Sequence, residues 1–234
     1  MSHAALTCEW LPAARDGLPP MAAAQRQCRR VARHIVAATG GDDPLIDLGA
    51  GAGHVADEVL AECGATPVCV EPDHSLAAQL VAKRYPVVSL DQLPDGAARG
   101  LYSVHAVSGM QWDTTVLTRA ARKLAHGAPV VIYAPAFPAL HCAQDTAAGH
   151  LRRYTRNSLA ATLRAAGVTV LRTGYADSVG FMVNGMLRAL RGSVAVTPQR
   201  ARLYDACLYP VSEWVDPMAR GLFGANVWAH GVRQ

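Results

Sequence analysis

The chain has 234 residues, of which 51% are hydrophobic, so it can form one sizeable core but is short for two full domains. No apolar run approaches the roughly 18 residues that a membrane-spanning helix needs, which argues against a membrane partner. Residues 1–16 also lack the basic start and apolar stretch of a secretory signal. We therefore expect a cytoplasmic protein.

The net charge of +4 is unevenly distributed. Residues 1–117 hold 8 Lys/Arg and 13 Asp/Glu, a net of −5, whereas residues 118–234 hold 14 and 5, a net of +9. A basic second half either favours an anionic small-molecule substrate or reflects an arginine-rich composition. Because the arginines occur singly or in pairs without interleaved aromatic residues, we do not expect nucleic acid as a partner.

The six cysteines are scattered, with no CxxC pair and no Cys/His spacing typical of metal ligands. Reduced thiols without a chemical role are the simplest interpretation. The sequence therefore predicts no metal site.

Short apolar runs alternate with amphipathic stretches along the chain, which predicts an α/β protein with a mostly parallel sheet and helices on both faces. The predicted strands are residues 44–48, 67–71, 86–90, 101–107, 129–134 and 168–173, and the helices between them are 52–63, 73–83, 113–125 and 156–166.

The two ends of the chain complete a single predicted domain over residues 1–234. A helix at 21–39 covers the first strands and stops at Gly40-Gly41. Residues 180–218 form a helical insertion, interrupted at Gly192, Pro198 and Pro210, that we expect to lie over the acceptor pocket. Residues 222–231 supply a last strand.

Residues 45–54, LIDLGAGAGH, predict a nucleotide-type site. A buried strand is followed by Gly49, Ala50, Gly51 and Gly53 at the opening of a helix, where glycines let the backbone approach a ligand. A dinucleotide fingerprint aligned on the first two glycines needs a third at position 54, which is His54. The GxGxG spacing therefore fits an adenosyl-amino acid better than a dinucleotide.

Acidic residues lie at the ends of the first three predicted strands. Asp47 can orient an ammonium group, Glu71 can accept from two ribose hydroxyls, and Asp91 can accept from an adenine amino group beside Gln92 and Leu93. Each acid alone has a simple explanation as a solvated side chain. Their combination with the glycine turn favours a ligand site.

LIDLGAGAG, VCVEPD at 68–73 and SLDQL at 89–93 resemble the first motifs of class I S-adenosylmethionine-dependent methyltransferases. The resemblance begins near residue 21 and implies a Rossmann-like sheet of seven strands, the last antiparallel. It also implies S-adenosyl-L-methionine as cofactor, with S-adenosyl-L-homocysteine as product, and adds Pro72 to the cofactor contacts.

Residues 101–112, LYSVHAVSGMQW, take the place of the fourth-strand motif but depart from it. Many relatives have aspartate at the position of Ser103 and a Leu-Glu-His-like ending at 110–112, which puts any acid/base role of this loop in doubt. We expect Ser108 and Gly109 to line the cofactor through their backbone. Gln111 and Trp112 are candidate substrate contacts, and a buried core position is the alternative for Trp112.

Residues 133–154, YAPAFPALHCAQDTAAGHLRRY, resemble the loop of a small-molecule methyltransferase subgroup with a GHxRRY motif. Methyl transfer needs donor and acceptor in line and a base for any acceptor proton. His150 is the candidate base because imidazole titrates near neutral pH, and a structural hydrogen bond is its alternative. The other catalytic candidates are Asp145 and Tyr154.

Acceptor contacts are predicted from the same loop and from the helical insertion. Arg152 and Arg153 can hold a carboxylate or phosphate, or can pair with Asp145 to brace the loop. The remaining candidates are His141, Tyr175 and Asn184.

Three alternatives stay open at this stage. A non-catalytic S-adenosylmethionine-binding protein fits the departures at 103 and 110–112. An enzyme that uses the same cofactor for another reaction, such as cyclisation, is a further alternative. A nicotinamide-dependent oxidoreductase is disfavoured by His54. The sequence does not identify the acceptor or its reacting atom, and it leaves a homodimer open.

Overall fold

A computed structural model describes residues 23–189, 197–219 and 222–234. Among these residues, one sheet has six strands in the order β2-β1-β3-β4-β6-β5. Strands β1 to β4 run parallel, and β6 is antiparallel to both β4 and β5. The strands are β1 Leu45–Leu48, β2 Val68–Val70, β3 Gly100–Val104, β4 Pro129–Pro135, β5 Val168–Ala176 and β6 Asn226–Arg233.

The mixed sheet with an antiparallel last strand confirms the predicted fold class, but the seven-stranded prediction is wrong by one strand. Residues 86–90 form only an isolated parallel bridge between Val87 and Cys69. Pro86 offers no N–H, and a capping box between Ser89 and Gln92 turns the chain into a short 3-10 helix, Leu90–Gln92. The segment is therefore too short to extend the sheet.

The helices predicted between the strands are present, with an extra short helix in the loop after β4. The helices are α1 Gln25–Thr39, α2 His54–Cys63, α3 His74–Ala82, α4 Asp113–Lys123, α5 Ala143–Ala147, α6 Arg156–Ala165, α7 Ser178–Ala189, α8 Pro198–Leu203 and α9 Tyr209–Ala219. No helix in the described ranges is both long and apolar enough to cross a membrane.

Apolar side chains cover both faces of the sheet, as expected for strands buried on two sides. Successive residues of β1 divide between the faces: Ile46 belongs to the core cluster that includes Val116 of α4 and Leu163 of α6, whereas Leu45 belongs to the cluster that includes Ile35 of α1. The alternation follows from the period of two along a strand. The helices on both faces are therefore held against the strands by this core. The loops at the carboxyl ends of the same strands carry the candidate site residues.

The helical insertion differs from its prediction at one break. Pro198, predicted as a break, is the first residue of α8, and Gly192 lies outside the described residues. Pro210, however, is the second residue of α9, and the chain stays helical through it. A wide π-helical turn, Tyr204–Leu208, precedes it and accommodates the missing N–H donor. The last strand also begins later than predicted, because the chain makes a turn at Leu222, whose N–H bonds to the carbonyl of Ala219.

Candidate active site

The glycine turn after β1 lies at the carboxyl edge of the parallel strands. Gly49, Gly51 and Gly53 all have positive φ, at 80°, 57° and 80°, a region that glycine adopts without steric cost. A Cβ on Gly51 would meet nothing within 4 Å, so open space lies in front of the turn. A Cβ on Gly53 would lie 2.7 Å from Leu80, so this glycine is needed for packing.

Glu71 connects the end of β2 to the glycine turn. One carboxylate oxygen accepts from the N–H of Gly51 at 2.8 Å, and the other from the N–H of Asp73 at 2.9 Å. Burial raises the pKa of Glu71, and the two N–H donors oppose that rise. Asp73 in turn caps α3, so the acid stands on a rigid corner beside Pro72.

Asp47 is buried in β1, with 2% of its surface exposed. Burial raises its pKa to about 7, the neighbouring hydroxyl of Tyr102 acts to lower that pKa, and the nearby charge of Glu71 acts to raise it. Within the described residues, neither its Oδ2 atom nor the neighbouring hydroxyl of Tyr102 has a partner in hydrogen-bonding geometry. A buried carboxylate oxygen without a partner is costly, and such groups concentrate at binding sites.

The residues predicted to lie beside adenine, Asp91, Gln92 and Leu93, are in the turn after residues 86–90, which do not form a strand of the sheet. Asp91 is mostly exposed and pairs with Arg119 of α4 at 2.7 Å. The side chain of Gln92 accepts from the N–H of Ser89 at 2.7 Å, and Leu93 packs against the core. Asp91 is thus held by a surface ion pair, and its contact with a ligand stays a prediction.

The chain reverses at the end of β3. His105 adopts a left-handed conformation, with φ of 64°, and a 3-10 helix, Ala106–Gly109, follows. Ser103, which stands where relatives have aspartate, donates from Oγ to the carbonyl of Leu48 at 2.7 Å. Its hydroxyl therefore links β3 to β1. Trp112 is 60% exposed at the start of α4, so the alternative of a buried core position is wrong.

The loop that follows β4 is closed at its base. Tyr154 donates its N–H to the carbonyl of Pro135 at 2.9 Å and accepts from the N–H of Phe137 at 2.9 Å. Inside the loop, Asp145 accepts from the N–H of Cys142 at 2.8 Å and pairs with Arg153 at 2.9 Å. Both charged side chains are nearly buried, so this pair braces the loop, as one of the two interpretations of Arg153 predicts.

Asp113, which was not among the residues predicted from the sequence, contacts two that were, Tyr154 and Arg152. Its Oδ2 accepts from the Tyr154 hydroxyl at 2.5 Å and from Arg152 at 2.9 Å. Arg152 also donates to the carbonyl of Gln111 at 3.1 Å. Burial and the Asp113 carboxylate raise the pKa of Tyr154, which keeps its hydroxyl protonated. The only sequence signal was an acid in the first turn of a helix, which is common without function.

His150 lies between the end of β3 and the braced loop. Its Nδ1 is 2.6 Å from the Oγ of Ser108, and its carbonyl lies 3.1 Å from Nε2 of His141. Burial lowers the pKa of His150, with Asp145 opposing and Arg153 reinforcing the effect. The ring is therefore neutral at neutral pH, as a base requires.

The last two predicted acceptor contacts lie farther along the chain. Tyr175 is buried at the end of β5 and stacks on Phe137, with 4.7 Å between ring centroids. Asn184 is exposed on α7, whose Phe181 also contacts Phe137. Phe137 thus joins the loop to α7. In the part of the chain that the structure describes, no three or more His, Cys, Asp or Glu side chains group as metal ligands.

Neither a family model nor a curated protein matches the sequence. Solved structures do resemble it. A SAM-dependent methyltransferase from Archaeoglobus fulgidus has 16% identity and a TM-score of 0.59, over 89% of this chain and 94% of that one. The fold is that of the S-adenosylmethionine-dependent methyltransferases. These comparisons do not test the GHxRRY subgroup.

Two further solved structures with this fold belong to proteins that are named for different reactions. A geranyl diphosphate C-methyltransferase from Streptomyces coelicolor, in complex with geranyl diphosphate and S-adenosyl-L-homocysteine, has 15% identity and a TM-score of 0.58, over 88% of this chain and 80% of that one. The cyclase SpnF has 18% identity and a TM-score of 0.57, over 88% and 81%. The fold therefore does not define the reaction.

Proposed function

We propose that this chain is a single-domain enzyme that binds S-adenosylmethionine and transfers its methyl group to a small-molecule acceptor. The observation that carries the proposal is the carboxyl edge of β1 and β2, where the glycine turn, Glu71 and the unpartnered Oδ2 of Asp47 meet. The fold similarity supports the same cofactor.

The residues at this edge suit an adenosyl-amino acid. Open space in front of Gly51 gives room for a ligand against the backbone. The buried oxygen of Asp47 matches the ammonium group, and the carboxylate of Glu71 matches the ribose hydroxyls. The residues that would hold the cofactor are Asp47, Gly49, Ala50, Gly51, Gly53, Glu71, Pro72, Asp91, Gln92, Leu93, Ser108 and Gly109.

When bound, the cofactor supplies an electrophilic methyl group on a positively charged sulfur. The protein's task is then to align the acceptor and to remove its proton where it carries one. His150, neutral and partly enclosed by the braced loop, takes the role of base in this proposal. Asp145 and Tyr154 have an indirect role in this proposal, because the side chain of Asp145 bonds to Arg153 and the hydroxyl of Tyr154 bonds to Asp113.

An anionic acceptor fits the charge near this loop. Arg152 is about one-third exposed while it pairs with Asp113, so its guanidinium can face both the protein and a carboxylate or phosphate. Trp112 is exposed and follows the carbonyl that Arg152 contacts, so it offers an aromatic surface beside the charge. Gln111, His141, Tyr175 and Asn184 complete the proposed acceptor contacts, with Arg153 behind them as the brace.

Non-methylation chemistry with the same cofactor is the second candidate. Its support is the similarity to the cyclase SpnF and the absence of the Leu-Glu-His-like ending at 110–112. In that case the cofactor stays unconsumed while the same pocket directs another reaction.

Calorimetry with S-adenosylhomocysteine tests the cofactor, with reduced nicotinamide dinucleotide as the matched control. Binding of the first alone is expected, and binding of the dinucleotide alone would overturn the proposal. Native mass spectrometry of the purified protein tests for a co-purified adenosyl ligand. Methyl-labelled cofactor then separates the two candidates, because only a methyltransferase moves the label into a product.

A further inference from the structure

The hydroxyl of Ser108 lies between two histidines. Ser108 is fully buried, and its Oγ is 2.5 Å from the carbonyl oxygen of His105 and 2.6 Å from Nδ1 of His150. A serine hydroxyl has one proton to donate, and a carbonyl oxygen can only accept. Ser108 can therefore be the donor in only one of these two hydrogen bonds.

Counting hydrogen-bond donors assigns the protons. Ser108 Oγ uses its only hydrogen to donate to the carbonyl of His105, so it can only accept from His150. Nδ1 of His150 must therefore carry the hydrogen that it donates to Ser108 Oγ. A neutral imidazole with hydrogen on Nδ1 has none on Nε2. The described residues offer Nε2 no hydrogen-bond partner, so its lone pair stays available.

We propose that Ser108 is a positioning residue that holds His150 in the Nδ1–H tautomer and thereby presents Nε2 as the proton acceptor. The inference rests on the proposed methyl transfer for its purpose, but the tautomer itself does not. The sequence predicts only a backbone contact between Ser108 and the cofactor. The side chain of Ser108 gives this residue a second role.

The local backbone supports this arrangement from both sides. His105 takes a left-handed φ of 64°, which is uncommon for a residue with a side chain and aims its carbonyl at Ser108. The carbonyl of Ser108 accepts from the N–H of Leu151 at 2.8 Å, which ties the His150 segment to the end of β3. The imidazole is thus held at its ring and by its backbone.

The charged groups around His150 are compensated. Asp145 pairs with Arg153, so neither imposes an unpaired charge on the imidazole. His105 lies 5.9 Å away between ring centroids, and burial lowers its pKa to about 3, so it is neutral. His141, the remaining titratable neighbour, contacts the His150 carbonyl, and its charge also acts to lower the pKa of the His150 ring. The tautomer is therefore decided by Ser108.

Long-range proton–nitrogen NMR of protein with isotope-labelled histidine measures the tautomer directly. His150→Gln identifies the His150 signals. In the unmodified protein near neutral pH we expect the Nδ1–H pattern. We expect its loss in Ser108→Ala and its retention in Ser108→Thr, which keeps a hydroxyl. An Nε2–H pattern in the unmodified protein overturns the proposal, as does an unchanged Nδ1–H pattern in a folded Ser108→Ala.

The NMR result needs neither cofactor nor acceptor, so failure of the proposed function would leave it intact. Where an acceptor is turned over, Ser108→Ala should lower kcat by about tenfold or more, and Ser108→Thr should restore it. Equal kcat values for Ser108→Ala and the unmodified protein would mean that the tautomer has no catalytic purpose.

Discussion

The carboxylate of Glu71 accepts a hydrogen bond from the backbone N–H of Gly51, 20 residues earlier in the chain, at 2.8 Å. Parallel pairing of β1 with β2 creates this contact, and the bond from the N–H of Gly49 to the carbonyl of Val70 continues the pairing into the turn. The acid and the turn therefore form one unit. A change to Glu71 alters both a ligand contact and the shape of the turn.

Glu71→Ala should weaken binding of S-adenosylhomocysteine by more than about tenfold, because it removes a charge-assisted contact to ribose and frees the N–H of Gly51. Titration calorimetry measures the affinity. Glu62→Ala is the control, since Glu62 forms an exposed pair with Arg33 on the outer surface of α2. Equal affinities of the two variants would contradict the placement of the ribose at Glu71.

Cofactor binding should release protons below neutral pH. The pKa of Asp47 is raised to about 7, so at about pH 6 the carboxyl is mostly protonated without ligand. An ammonium group beside it favours the carboxylate and lowers that pKa, so up to about one proton leaves on binding. Calorimetry in two buffers of different ionisation enthalpy counts the protons. Asp47→Asn should bind without this release; an identical buffer dependence would refute the assignment.

His150→Ala should lower the rate of methyl transfer more than it lowers cofactor affinity, since the ring is proposed to take a proton rather than to hold the cofactor. In the unmodified protein, burial lowers the pKa of His150 below 6.5, so activity should persist at neutral pH and fall on the acid side as the ring protonates. Steady-state rates across pH measure this. His126→Ala, at an exposed position, should match the unmodified profile. An unchanged rate in His150→Ala at saturating acceptor would remove it as the base.

The glycine turn, Asp47 near the end of β1 and Glu71 after β2 could be predicted because their positions depend on local signals. The turn needs glycine at three left-handed positions, and the acids follow apolar runs that any parallel sheet brings to one edge. Residues 86–90, predicted as a strand but joined to the sheet by a single bridge, show the limit of such signals. An apolar run alone does not reveal that Pro86 and the Ser89 cap shorten the pairing to one bridge.

Contacts over long sequence distances were beyond prediction. Asp113 lies 41 residues from Tyr154, and nothing in either segment specifies that their side chains meet. Ser108 and His150 are likewise 42 residues apart. These pairs depend on how the loop after β4 folds back over the end of β3, which is decided by tertiary packing and not by periodicity.

Arg153 and Arg152 should differ in their effect on stability although they are adjacent. Arg153→Met leaves Asp145 buried without its partner, which should cost about 3–5 kcal/mol of unfolding free energy. Arg152→Met removes a more exposed pair with Asp113 and should cost about 1 kcal/mol or less. Urea denaturation measures both. Equal losses would show that Arg153 does not brace the loop, and Asp145→Asn combined with Arg153→Met should recover part of the larger loss.

The first turn of α1 is capped from a distant part of the chain. Ala24, at the N-cap position, provides no side-chain acceptor, and the carboxylate of Asp205 accepts instead from the N–H groups of Arg26 at 2.9 Å and Gln27 at 3.1 Å. Asp205→Ala should therefore destabilise the protein by about 1–2 kcal/mol, because it exposes two helical donors and unties the π-helical turn from α1.

Thermal and urea unfolding measure that loss, and Asp73→Ala is the matched control. Asp73 makes the same pair of bonds to Ser75 and Leu76, but locally, at the start of its own helix. Asp205→Asn keeps one acceptor oxygen and should fall between Asp205→Ala and the unmodified protein. If Asp205→Ala unfolds at the same urea concentration as the unmodified protein, the long-range cap does not stabilise α1, and the helix depends on its packing against the sheet alone.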